Sequence, residues 1–238
     1  MRTKRADPFI TAFYGIAAFL MTVYLTAAVL SLTQAPISPV WRIVLLLLAC
    51  LSAFLGARVP RLYETEFDRE ACRRRVRRVL WLCLALYLHL ILTFTLFDAA
   101  LGRDFFSIFT ADATSRAYYL KWHVNLSPLH TVRTIYINGF RNGLITPRFL
   151  LINLPGNLII FVPFAFFLPY LFPRINRFLK FFALMLLFSA VIEACQFVMM
   201  CGSCDIDDII LNVGGALPFW FLFKLPPIRK LIRYLTVT

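Results

Sequence analysis

The stretch Phe178–Met200 reads FLKFFALMLLFSAVIEACQFVMM. Only Lys180 and Glu193 carry charge in these 23 residues. As a helix rising 1.5 Å per residue it would extend roughly 34 Å, enough to cross a hydrocarbon core of about 30 Å. Lipid offers no partner to free backbone groups, so such a stretch must be helical. Working outward, similar apolar blocks fill Ile10–Leu32, Val40–Ala57, Val79–Leu101, Phe149–Phe172 and Ile209–Leu225. The first is longer than the core of a cleaved signal peptide and is read as a retained span. The second and sixth are short, which tilt or snorkelling ends can absorb.

Bulk composition agrees. Of 238 residues, 61% are hydrophobic and only 16% charged, with a mean hydropathy of +0.76. A water-soluble domain carries about a quarter charged residues. The net charge of +13 does not point to nucleic acid, because the Lys and Arg residues flank apolar blocks instead of lining a soluble face. Anionic lipid explains them better. The expected fold is therefore all-α: a polytopic bundle of about six transmembrane helices. Residues 1–78 supply two spans and a basic connection, residues 79–225 a four-helix core with a long loop at 102–148, and residues 226–238 a basic tail.

Orientation follows from counting Lys and Arg. Alternate segments hold 18 of them on one side, including eight between Arg58 and Arg78 and four from Lys224 onward. The other side holds seven, six of them in the long third connection, where the charge rule is weaker. Both termini are predicted to be cytoplasmic. Within the basic connection, Glu70 precedes Arg74 by four residues, a stabilising helical spacing. This segment, Arg58–Arg78, is expected to meet anionic lipid as a solvated helix.

In the third connection Leu120, Trp122, Val124 and Leu126 alternate with polar residues, a strand-like period of two. Ser127-Pro128 then resembles an N-cap followed by proline at the first helical position. The six cysteines imply no disulfide framework. Cys201-Gly-Ser-Cys204 has redox-motif spacing, but no βαβ unit accompanies it.

Polar residues inside apolar spans are costly and mark function. Asn153 and Asn157 fall near the outer end of the fourth span. Glu193 and Gln196 share one face near the outer end of the fifth. Asp205, Asp207 and Asp208 fill the next turn, with Asn212 one helical turn beyond Asp208. Asp207 is expected to face water, and Asp205 to cap the last helix. Four carboxylates at one depth call for a shared proton, a cation or a basic partner from the loop, with Arg133, Arg141 and Arg148 as candidates and Asn125 nearby. No cofactor is expected. A divalent cation on Asp205, Asp208 and Glu193 is the one inorganic option, since hard cations take such oxygens.

Asn125-Leu-Ser-Pro-Leu129, Asn153-Leu-Pro-Gly-Asn157 running into Phe161-Val-Pro163, Glu193-Ala-Cys-Gln196, and Asp205-Ile-Asp-Asp-Ile-Ile-Leu-Asn212 with Gly214-Gly215 occur in this order. The ordered set resembles the VanZ-like family of bacterial membrane proteins, over roughly Val79–Leu225. Many members carry Arg shortly before the first aspartate, where this chain reads Cys201-Gly-Ser-Cys204. The family's named member is associated with low-level resistance to teicoplanin, a lipid-tailed glycopeptide. The resemblance thus implies work at the outer leaflet of a Gram-positive-type envelope. It points to binding of an amphiphile, either a lipopeptide or glycopeptide antibiotic or a lipid-linked cell-wall precursor, by Asn153, Asn157, Glu193, Gln196, Asp205, Asp208 and Asn212. The alternatives are a membrane enzyme modifying an envelope lipid, and a transporter. No nucleophile elbow, His–Asp pair or phosphate loop is evident, and the polar residues sit away from the midplane where transporters bind.

The topology is open to direct test. In a cysteine-free background, an impermeant thiol reagent is expected to label Ser203→Cys in intact cells. Thr65→Cys should react only after permeabilisation, and the reverse pattern would invert the protein.

Overall fold

A computed structural model of the chain describes residues 8–32, 38–58, 68–144, 146 and 152–237. Five helices among them are long and apolar enough to span a membrane: Pro8–Leu30, Pro39–Arg58, Arg69–Phe97, Asn153–Leu171 and Phe178–Met199. Ile206–Leu222 passes the same test when joined to Pro226–Thr236 across a sharp bend. The total of five to six agrees with the expected bundle, and the described residues hold almost no strand. They divide into two compact units.

The first unit holds residues 1–94, 98–101 and 229–238. Helices α1 (Pro8–Leu32) and α2 (Pro39–Arg58) meet through small residues. Ala17, Ala27 and Ala28 on one, and Ala49, Ala53 and Ala57 on the other, are all buried. Small side chains let two backbones approach and gain dispersion contacts that lipid cannot match. Ser52 Oγ also donates to the carbonyl of Phe13 at 2.8 Å. Helix α3 (Arg69–Leu92) begins ten residues before the apolar block at Val79. Asp68 caps it, accepting from the amides of Glu70 (2.9 Å) and Ala71 (3.0 Å). With its π-helical extension Thr93–Phe97 the span runs 29 residues, roughly 44 Å, so its arginine-rich first turns project beyond hydrocarbon. Glu70 pairs with Arg74 at 2.8 Å, as their spacing predicts.

This unit also contains a feature that hydropathy hid. Arg42 of α2 forms an ion pair with Asp98, and both side chains are fully buried. The guanidinium lies 4.8 Å from the ring centre of Phe94. Asp98 also caps the next turn, accepting from the amide of Ala100 at 2.9 Å. Tyr24 and His89 Nδ1 share a second polar contact at 2.9 Å.

The second unit holds residues 95–97 and 102–228. It contains α4 (Ser107–Thr110), α5 (Ala113–Trp122), β1 (Val124–Asn125), α6 (His130–Ile135), α7 (Asn157–Ile160), α8 (Val162–Leu171), α9 (Phe178–Met199), β2 (Cys204–Asp205) and α10 (Ile206–Leu222). The fourth span is irregular because Pro155 and Pro163 interrupt it. A π turn, Ile152–Gly156, precedes α7, and the chain breaks at Phe161 before α8. Proline removes an amide donor, and in a membrane the neighbouring helices make the loss tolerable. Phe161, Phe164 and Phe188 interlock beside the break, with ring centres 5.3–5.5 Å apart. Gly215 of α10 lies against the Leu158 carbonyl of α7, where a Cβ would collide with backbone. Gly214 faces open space, so of the two glycines Gly215 makes the close approach. The final helix, α11 (Pro226–Thr236), follows.

Two local expectations fail. Tyr119–Asn125 is not an extended strand. Asp112 caps α5 through Ser115 N at 2.7 Å and the helix runs to Trp122, leaving β1 only two residues. Capping outweighed the alternation. Helix α6 starts at His130 rather than at Pro128, because Leu129 adopts a left-handed conformation (φ 62°).

The Arg42–Asp98 pair generates a stability prediction. Asp98→Ala leaves a buried guanidinium uncompensated and is expected to cost about 3–5 kcal/mol. Replacing both partners with apolar residues should restore most of that loss, as read by thermal unfolding in detergent.

Candidate functional site

Helix α9 ends at Met200, which turns left-handed (φ 53°) and lets the Cys201 amide donate to the Gln196 carbonyl at 3.2 Å. This cap redirects the chain into β2, which pairs in parallel with β1 in the register Val124↔Cys204 and Asn125↔Asp205. A two-residue ladder cannot hold two segments by itself. Carboxylates do the rest.

Asp205 is the N-cap of α10, accepting from the Asp207 amide at 2.9 Å. The same side chain accepts from Asn125 Nδ2 (2.8 Å) and Thr131 Oγ1 (2.5 Å). Its own amide donates to Glu193 Oε2 at 2.8 Å. Asp207, expected in water, is fully buried. Its two oxygens accept from the amides of Leu129 (2.5 Å) and Val132 (3.1 Å), clasping the left-handed entry to α6. The motif Asn125–Leu129 is thus the segment that these two aspartates hold down.

One turn further along, Asp208 accepts from Asn157 Nδ2 of α7. Asn212 Nδ2 donates to Ser189 Oγ at 2.9 Å. Glu193 and Asp208 lie within each other's electrostatic field. The ends of α7, α9 and α10 therefore meet at Glu193, Asp208 and Asn157. Gln196 is buried on the face of α9 that carries Glu193, and its Nε2 donates to the Thr95 carbonyl of the π turn at 2.8 Å. Tyr119 Oη caps the Gln196 carbonyl at 3.1 Å. Burial pushes the Tyr119 hydroxyl above its ordinary range, and the nearby Cys204, Cys201 and Glu193 add to this. Asn153 sits half-buried in the π turn before α7.

Of the three candidate arginines, Arg133 and Arg141 are exposed, and Arg148 lies outside the described residues. Among the described residues, Arg103 is the arginine whose charge reaches the cluster. Its guanidinium lies over Gly202, where any Cβ would strike it. It acts electrostatically on both Glu193 and Asp208. The Cys201–Cys204 turn has no arginine of its own, and its glycine makes room for one from the loop. Only that pairing of Gly202 with the first basic residue after the third span could have signalled it.

Cys201 and Cys204 are free thiols. Burial raises both above the usual thiol range, and for Cys204 the carboxylates of Glu193, Asp205 and Asp208 add to the effect. No group of three His, Cys, Asp or Glu among the described residues is arranged to hold a metal ion. The oxygens of Asp205 are committed to Asn125, Thr131 and the Asp207 amide, and Asp208 already receives Asn157.

The model of the VanZ/LLP1 family matches residues 84–228, a segment that includes every residue of this cluster. No curated protein and no solved structure matches the chain. The anchoring role of Asp207 is testable apart from any ligand. Asp207→Ala removes the acceptor for two backbone amides and is expected to loosen 123–135 by about 1–3 kcal/mol. Hydrogen exchange should quicken in that segment while α8 and α9 stay protected.

Proposed function

Since this chain belongs to the VanZ/LLP1 family, we propose that its cluster at Glu193, Asp208, Asn157 and Asn212 binds the headgroup of an amphiphile at the outer leaflet. The ligand is a lipopeptide or glycopeptide antibiotic such as teicoplanin, or a lipid-linked cell-wall precursor, and binding contributes to lipoglycopeptide resistance. The bilayer of a bacterial cell membrane is the second partner, with anionic lipid against the basic segment Arg58–Arg78.

Leftover hydrogen-bonding capacity carries this reading. Asp205 and Asp207 are saturated by their own loop. In the next layer Asn212 Oδ1, Gln196 Oε1 and Arg103 Nε are buried with no hydrogen-bond partner. Buried polar atoms are paired almost without exception, so a concentration of orphans beside two carboxylates supports a site that a polar ligand completes. Such a headgroup would find acceptors in Glu193, Asp208 and Asn212, and a charged donor in Arg103.

A second reading, a membrane enzyme acting on an envelope lipid, draws support from Glu193 and Asp208 as a buried carboxyl pair, the kind of arrangement used for general acid–base work. Lipid profiling of a deletion strain separates the two. An accumulated substrate with a missing product favours catalysis, and an unaltered lipidome favours binding.

Charge-neutralising variants test the leading reading. Glu193→Gln, Asp208→Asn and Arg103→Gln, each matched to wild type in membrane abundance, are expected to lower teicoplanin protection. Loss of one hydrogen bond to a charged group corresponds to at least about tenfold in affinity. Unchanged protection in all three would eliminate this role.

A further inference from the structure

In the first unit, the last turn of α2, the first turns of α3 and the end of α11 converge on a basic pocket. Cys72 Sγ of α3 donates to the Ala57 carbonyl of α2 at 3.6 Å, fixing Arg58 beside α3. The Arg58 guanidinium stands 5.4 Å from the ring centre of Tyr234 on α11. Three residues later, Val237 lines a cavity of about 210 Å³ together with Arg69, Glu70 and Arg73. Thr236 and Val237 are themselves buried, so the end of α11 is seated.

One donor beside this pocket is unsatisfied: Arg58 Nη1, on the guanidinium next to Tyr234, is buried with no hydrogen-bond partner. Glu70, the carboxylate in the cavity lining, is exposed and already paired with Arg74. A buried guanidinium donor without an acceptor is expensive, and with Arg69 and Arg73 in the adjacent lining it points to an anion.

Helix α11 indicates where that anion comes from. Ile228, Leu231, Ile232 and Leu235 recur at helical spacing, opposite Arg229, Lys230 and Arg233. Leu231, Tyr234 and Leu235 are exposed. A basic amphipathic helix of this kind lies in the plane of the membrane interface, with its apolar face among acyl chains. That position brings its seated end to the depth of lipid phosphates.

We propose that Arg58, Arg69 and Arg73, with α11 as one wall, form a discrete site for the phosphate of an anionic lipid headgroup. The site sharpens the lipid-facing reading of Arg58–Arg78 from a diffuse attraction to a built pocket. It does not depend on what the cluster at Glu193 binds.

The test uses the purified full-length protein in detergent, titrated with phosphatidylglycerol, phosphatidylcholine or inorganic phosphate. Thermal unfolding and native mass spectrometry provide the readouts. Phosphatidylglycerol is expected to raise the unfolding midpoint and to remain bound as a single adduct, while phosphatidylcholine does neither. Neutralising one arginine of the site should weaken binding about fivefold, so Arg69→Gln with Arg73→Gln should cost roughly thirtyfold. Arg77→Gln with Arg78→Gln removes the same charge from the same helix outside the cavity lining and should leave the adduct in place. An equal loss in both double variants would mean diffuse attraction and overturn the site. So would stabilisation by inorganic phosphate equal to that by lipid, or no response of the wild type to phosphatidylglycerol. If the Arg69/Arg73 variant unfolds too early to titrate by heat, adduct retention at low temperature decides.

Discussion

A carboxylate withdrawn from water must be given donors, and the turn from Asp205 to Asp208 is organised around that requirement. Asp205 receives a side-chain amide, a hydroxyl and a backbone amide, and returns its own amide to Glu193. Asp207 receives two more backbone amides from the start of α6. These bonds join the loop segment to the junction of α9 and α10, which a two-residue ladder could not do alone. Everything at the polar end of the second unit depends on them. The direction in which α10 sets out, and therefore the depth at which Asp208 meets Asn157, follows from a cap that is also a clamp.

Once those acids are consumed structurally, the remaining polar groups stand out. The Arg42–Asp98 pair sets two charges against each other inside a span, both sealed from water. Around Glu193 and Asp208 the polar groups come from several segments. Amide oxygens on Gln196 and Asn212 and the Nε of Arg103 have nothing to bond. Two acids sense one guanidinium whose Nε is still unclaimed.

Much of this was legible in the sequence. The spans could be read because twenty or so apolar residues in a row have few other fates. The meeting of Asn157, Glu193 and Asp208 followed from counting rises inward from span ends. Other features depended on contacts that no local pattern encodes. Asp207 looked solvated because its partners, the amides of Leu129 and Val132, lie far back along the chain. Tyr119–Asn125 alternated like a strand, yet the Asp112 cap made most of it helix. Arg103 was one of six basic residues in a long loop, and only the space above Gly202 singled it out. Asp98 lies within the apolar block Val79–Leu101, and its bond to Arg42 is invisible to hydropathy.

The claim at the centre is that Glu193 and Asp208, with Arg103, hold the polar head of an outer-leaflet amphiphile. Equilibrium binding of fluorescent teicoplanin to the full-length protein in lipid nanodiscs, compared between wild type and Asp208→Asn, tests it most directly. Saturable binding by the wild type, weakened at least about tenfold in the variant, is the expected result. Binding of equal strength by both proteins, or none above that of empty nanodiscs, would contradict the account.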